Sequence, residues 1–252
     1  MQYRHLGRTG VRISAVGLGT GGQWGGRVDL ATSRELVAAA LDSGINYIDT
    51  ADFYGTWYHG TSLAEEFLGW ALEGQRERVV LGTKGCSPVG PGPNDRGASR
   101  YHLMNALDAS LRRLRTDHVD LYFVHRLQNP NELGDWGDQW KQWAEKTKKA
   151  GKIRFFGVSF HDNVMENMLA VSQFAWMDVA MFLCNFRVLG LSKFRKGMAA
   201  IKAAKLGTIA IKVQALGLSG RPLTDKETAD MAGLTDKGYS EWQARLKLLW
   251  EE

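Results

Sequence analysis

Residues 119–125, VDLYFVH, and residues 79–84, VVLGTK, decide the fold. Each is a short, β-branched or aromatic run with apolar residues at consecutive positions, so neither face of the strand it forms can meet water. A strand covered on both faces belongs to a parallel sheet sandwiched by helices. Each run also ends on an ionisable residue, Lys84 or His125.

Working outward, similar runs occur at Ile13–Gly19, Ile45–Asp49, Ile153–Ser159, Asp178–Cys184 and Thr208–Val213, which makes seven candidate strands. Between them lie segments with apolar residues three or four apart: Ser33–Leu41, Ser62–Leu72, Arg100–Leu114, Trp136–Lys149, Asn163–Gln173 and Lys193–Leu206. Ser62 followed by Glu65 reads as a capping box, and Ser99 as an N-cap. Gly44, Gly74, Gly151 and Gly207 fall where helices should stop. Strand and helix alternating without a linker calls for parallel pairing through right-handed crossovers, and 252 residues suit a single closed (β/α)8-type TIM barrel over 1–252. Residues 1–12 lie outside the pattern and read as a hairpin plugging one end. Residues 85–98 hold three of the five prolines and form a loop after the third strand, and residues 214–236 form another long connection.

Composition narrows the function classes. With 44% hydrophobic and 23% charged residues the chain buries a core and is not disordered. Two cysteines exclude a disulfide framework, and no apolar run spans a bilayer. The opening MQYRHLGRTG lacks a signal-peptide core, so a reducing cytoplasm is the expected compartment. The net charge of +5 is scattered among acids, which argues against a nucleic-acid stripe. His59, His102, His118 and His161 lack metal-ligand spacing, so no metal is expected.

Active sites of barrels lie at the carboxyl ends of the strands. There the sequence places Asp49 and Tyr54 after the second strand, Lys84 ending the third and His125 ending the fourth. Asp49 and Lys84 on adjacent buried strands should pair, and alone they would more often be structural than catalytic. Tyr54 changes the weighting, because an ammonium beside a phenol stabilises the phenolate and lowers the phenol's pKa. Tyr58 is a nearby competitor for its role. His125 would hydrogen-bond a substrate oxygen on which negative charge develops. Gly17, Gly19 and Gly22 fit G-x-G-x-x-G, but GGQWGGRVD delays the helix that a dinucleotide fingerprint needs. Trp24, Trp57 and Trp136 fall in mouth-side loops, with Trp57 the first choice for a substrate wall. Cys86 reads as an inert thiol.

GINYIDTADFYG (44–55), VVLGTK (79–84), VDLYFVHR (119–126) and KKAGKIRFFGVS (148–159) resemble the successive signatures of the aldo-keto reductases. RHLGRTGVRISAVGLGTG (4–21) resembles their hairpin and first strand, and the likeness runs in order through about residue 217. The resemblance implies reduction of an aldehyde or ketone to an alcohol, with Tyr54 as proton donor, Lys84 lowering its pKa, Asp49 anchoring that lysine and His125 orienting the carbonyl. It implies NADP(H) as cofactor, NAD(H) being the alternative, and Gly19, Thr20, Asp49, Ser159, Asn185, Lys212 and Gln214 as its binding residues.

Phe160 and Met181 stand where the family commonly has an asparagine and a glutamine, and Val213 where many members have a stacking aromatic residue; Lys212 and Gln214 offer polar substitutes. The family continues past a helix like Tyr239–Trp250 into an eighth strand and an adenosine-side anchor, which the sequence to Glu252 does not supply. The expectation is an atypical segment over 214–252, with either a truncated barrel or closure by another segment. A non-catalytic nucleotide-binding regulatory subunit with the same barrel is the alternative function.

Overall fold

The computed structural model describes residues 1–22, 24–55, 61–214 and 223–250. A hairpin of β1 (Tyr3–His5) and β2 (Arg12–Ser14) opens the chain, and β3 (Leu18–Gly19) begins a second sheet. That sheet continues through β4 (Tyr47–Asp49), β5 (Val80–Gly85), β6 (Val119–Val124), β7 (Ile153–Phe160), β8 (Val179–Leu183) and β9 (Gly207–Ile211). All seven strands are parallel and neighbours in chain order, as in a TIM-barrel-like α/β fold. The expected parallel strands are therefore present. No eighth strand joins the sheet among the described residues.

The helices over Leu30–Asp42, Leu63–Ala71, Arg100–Leu114, Asn131–Lys149, Val164–Val171 and Ser192–Ala203 connect successive strands. Their apolar faces meet the outer sheet face in one core that includes Leu68, Leu107, Trp140, Phe156, Phe160, Met168 and Phe182. Ser99 caps its helix as the sequence suggests, its hydroxyl accepting from His102 N at 3.2 Å. Trp24, expected at the mouth, is buried in this core, and Trp136 packs against it.

Three local expectations need correction. The run from Ile13 to Gly19 is two strands, because Ser14 turns the chain by donating to Val16 O and Asn46 accepts from Ser14 N. Gly207 does not stop a helix; Lys205 takes the left-handed conformation, and Gly207 opens β9 where a Cβ would press on Leu6 Cγ at 2.7 Å. Within 214–236, Asp225–Thr235 is a helix with a complete capping box between Thr224 and Glu227. A last helix spans Glu241–Trp250.

The hairpin closes the amino-terminal end of the sheet. Leu6, 1% exposed, joins Ile13, Tyr47, Leu121, Phe123, Val179, Met181 and Ile209 in an inner apolar cluster. Burying a leucine this fully is worth roughly 1.5–3 kcal/mol. Arg8 donates to Ala175 O, Met177 O and Ala204 O, while Asn46 donates to Arg12 O, so the hairpin fastens both early and late strands. That apolar floor leaves the opposite, carboxyl end for polar groups.

Candidate functional site

Side chains alternate along a strand, so residues two apart share a face. Tyr47 and Phe123 belong to the inner cluster, which puts Asp49 and His125, two positions further on, into the next inward layer. Lys84 shares the inward face through its register opposite Phe123, and its long side chain reaches Asp49. Gly82 clears the space between, since a Cβ there would come within 3.0 Å of Tyr47 Oη and 3.4 Å of Asp49 Oδ1.

The expected ion pair is formed. Lys84 Nζ lies 2.5 Å from Asp49 Oδ2 and also donates to Thr50 O at 2.6 Å. Its third contact is Tyr54 Oη at 3.5 Å. All three ammonium hydrogens thus have an acceptor in their direction, which a lysine only 1% exposed requires. Tyr47 adds a hydrogen bond to Asp49 Oδ1 at 3.2 Å.

Tyr54 is positioned by the turn after β4. Asp52 N donates to Lys84 O at 3.0 Å and Ala64 N to Tyr54 O at 3.2 Å. The buried Ser62 hydroxyl lies 2.8 Å from Ala51 O and 3.1 Å from Tyr54 O. Ser62 therefore forms no side-chain cap on its own helix, and the capping box expected with Glu65 is absent. Glu65 instead accepts from Thr83 Oγ1 at 2.5 Å and Arg113 Nε at 2.7 Å. The rings of Tyr54 and His125 meet edge to face, with centroids 5.9 Å apart.

The electrostatics correct one expectation. Burial pushes the Tyr54 phenol up; the Lys84 ammonium opposes this, Asp49 adds to it, and the net direction is upward. Lys84 therefore acts in the expected direction but offsets only part of the rise that burial causes, so the phenol pKa stays above its ordinary value. For Lys84, burial acts downward, but Asp49 and Tyr54 outweigh it and hold the amine protonated. Burial, followed by the charge of Lys84, takes His125 well below the usual imidazole range, so it is neutral near pH 7. Its Nδ1 is buried without a hydrogen-bond partner. Burial raises the Cys86 thiol to about 12, in keeping with an inert thiol.

The proposed cofactor positions divide. Gly19 is exposed at the end of β3, and Lys212 is exposed just beyond β9. Ser159 is buried, and its oxygen accepts from Arg126 N at 3.1 Å. Thr20 is fully buried and its hydroxyl donates to Thr50, so it contributes to packing and not to the open mouth. Asn185, also fully buried, spends its side-chain oxygen on Arg187 N as the cap of a short helix, Phe186–Leu189. Gln214 is tied to the last helix, donating to Trp242 O and accepting from Arg245 at its own carbonyl, while its Oε1 is buried without a partner. Phe160 stacks on Phe182 in the outer core, at 5.6 Å between centroids. Trp57 and Tyr58 lie outside the described residues.

Two residues at the site were missed. His161 sits at the mouth with its ring 6.4 Å from that of His125. Its signal was the alternation Gly157, Ser159, His161. Asp52 is 1% exposed, with neither carboxyl oxygen hydrogen-bonded. Among the described residues no group of three metal-ligating side chains converges.

The seven-stranded parallel sheet thus carries an Asp, Tyr, Lys and His cluster at its carboxyl end. The chain belongs to the aldo/keto reductase family, whose model matches residues 15–244. It is 39% identical over 166 residues to "Uncharacterized oxidoreductase YrpG" of Bacillus subtilis, covering 63% of this chain and 49% of that protein. It is 38% identical over 129 residues to "Probable voltage-gated potassium channel subunit beta" of Oryza sativa, covering 50% and 38%. The chain thus spans half or less of the length of these two relatives. A solved structure from Pseudomonas aeruginosa described as an aldo-keto reductase superposes with a TM-score of 0.67 at 30% identity, covering 82% of this chain and 75% of that one.

Proposed function

We propose that this chain reduces a small aldehyde or ketone to an alcohol, using NADP(H), with NAD(H) the alternative cofactor. The observation that carries the reading is the approach of Lys84 Nζ to Tyr54 Oη at 3.5 Å while the same nitrogen is paired with Asp49. The residues fit the nicotinamide end of such a cofactor. Ser159 keeps its hydroxyl hydrogen free to donate, and the unpartnered Gln214 Oε1 is an acceptor, the complement of a carboxamide. Exposed Lys212 and the backbone at Gly19 would face its phosphates.

A bound reduced nicotinamide supplies hydride to the carbonyl carbon. As the C=O double bond becomes a single bond, negative charge grows on the oxygen. Neutral His125 donates a hydrogen bond to that oxygen, aligning it with the phenol. Tyr54 gives up its O–H proton to the oxygen, and the alcohol leaves a phenolate behind. Burial keeps the phenol protonated before the step, and the Lys84 ammonium stabilises the phenolate after it. Asp49 holds the ammonium in place through both states.

Tyr54→Phe tests the reading. Cofactor oxidation with a panel of aldehydes should fall at least about a hundredfold, the usual contribution of a positioned acid, while the circular dichroism spectrum and cofactor fluorescence titration stay as in wild type. Unchanged turnover rejects the role of Tyr54.

Similarity to the rice potassium channel β-subunit favours a second reading, a nucleotide-binding regulatory subunit. Cofactor binding without oxidation by any aldehyde would select it.

A further inference from the structure

His161 follows the last residue of β7. Strand alternation puts it on the face shared by Gly157 and Ser159. Gly157 faces inward, since a Cβ there would come within 3.0 Å of the Phe123 ring. The His161 ring consequently extends the inner polar layer toward the mouth. Tyr54, His125 and His161 form a row, with centroids 5.9 Å apart for the first pair and 6.4 Å for the second.

Both imidazoles in this row carry a buried Nδ1 with no hydrogen-bond partner. Burial and the nearby Lys212 and Arg126 charges bring His161 down to about 4, with Asp162 opposing, so it too is neutral near pH 7. A neutral imidazole has one N–H donor and one acceptor nitrogen. Whichever role the mouth-side nitrogen of His161 takes, donor or acceptor, a hydroxyl can partner it, because a hydroxyl both gives and takes a hydrogen bond. The reacting carbonyl oxygen is already served by Tyr54 and His125, so its recognition does not need a second imidazole.

We propose that His161 is a specificity-determining residue that hydrogen-bonds a hydroxyl one or two carbons from the reacting carbonyl, making hydroxyaldehydes and hydroxyketones the preferred substrates. The proposal rests on the carbonyl-reductase reading above. A substrate lacking that hydroxyl would leave the His161 nitrogen unpartnered in a partly desolvated place, and this is how a polar site discriminates against a smaller analogue.

The test compares 2-hydroxypropanal with propanal, which differ only in that hydroxyl. Wild type should favour 2-hydroxypropanal in kcat/KM. His161→Phe should lower kcat/KM for 2-hydroxypropanal about tenfold, the scale of one hydrogen bond, mainly through KM, and change that for propanal less than about threefold. His161→Asn, which keeps a donor and an acceptor, should recover part of the loss. An unchanged ratio, or an equal fall for both aldehydes, overturns the proposal.

A binding readout separates this from failure of the reductase reading. The His161 imidazole C–H signals, identified by their loss in His161→Phe, should shift with 1,2-propanediol and not with 1-propanol. If wild type turns over neither aldehyde, the reductase reading fails; a diol-specific shift then still supports His161 as a hydroxyl ligand, and its absence overturns that as well.

Discussion

Lys84 and Asp49 lie on neighbouring strands with Nζ and Oδ2 2.5 Å apart, and the lysine is 1% exposed. Such a pair is formed at the expense of hydration, so its members are far more costly singly than together. Asp49→Asn leaves a buried ammonium with its charge uncompensated and should lower unfolding stability by about 3–5 kcal/mol. Urea denaturation followed by tryptophan fluorescence measures this. The double variant Asp49→Asn, Lys84→Met removes both charges and should recover much of the loss, while turnover stays low because no ammonium faces Tyr54. A double variant no more stable than the single one would show that the pair is not what makes the site tolerable.

Ser62 has a different kind of influence, acting on Tyr54 through the backbone. Its hydroxyl lies within 3.1 Å of two carbonyls of the turn that carries the phenol. Ser62→Ala removes one buried hydrogen bond from this turn, whose two carbonyls keep only the backbone donors Tyr54 N and Ala64 N, at a cost of about 0.5–1.5 kcal/mol. The turn should loosen, so kcat should fall by about tenfold or more with little change in cofactor affinity. Stopped-flow single turnovers together with a cofactor titration separate the two effects. Wild-type kcat would mean that Tyr54 is held without Ser62.

These residues mark where the sequence was legible. VDLYFVH and VVLGTK read correctly as doubly buried strands because their signal is local, and Asp49, Lys84 and His125 followed from strand ends alone. Ser62 and Glu65 misled because their capping pattern is local while their actual partners, Ala51, Tyr54, Thr83 and Arg113, come from elsewhere in the fold. The Asp225–Thr235 helix was missed although Thr224 and Glu227 carry a capping signature, since it buries only Met231 and Leu234 and shows little apolar periodicity. The acidity of Tyr54 depends on burial, which charge pattern does not encode.

The hairpin's contact with β9 predicts a sensitive glycine. Gly7 has φ of +55°, and a Cβ on it would lie 2.3 Å from Gly207 N and 2.6 Å from Lys205 O, both backbone atoms that cannot rotate away. Gly7→Ala adds a left-handed strain to that clash and should push Leu6 out of the inner cluster. A loss of at least about 2 kcal/mol is expected in urea titration. Stability within about 0.5 kcal/mol of wild type would mean that the hairpin docks loosely and does not organise the barrel floor.

Asp52 supplies a prediction with a definite pH signature. Its carboxyl is buried with both oxygens unpartnered, and burial, with Glu65 adding to it, raises its pKa well above 3.8; Arg113 and Lys84 oppose. The folded state therefore holds a proton there that the unfolded chain releases once the pH passes about 4. Raising the pH above that value favours the unfolded state through this group, up to its folded-state pKa. Asp52→Asn keeps the shape, removes the titration and should be more stable than wild type at pH 8. The advantage should shrink as pH falls and vanish near pH 4, where the unfolded carboxyl is protonated too. Taking the difference between variant and wild type cancels the neutral histidines, whose depressed values act in the opposite direction below about pH 6.5, for His161 down to about 4. Urea midpoints at pH 4.5, 6 and 8 are the measurement; an advantage that is flat or grows toward low pH would mean that Asp52 is ionised in the fold.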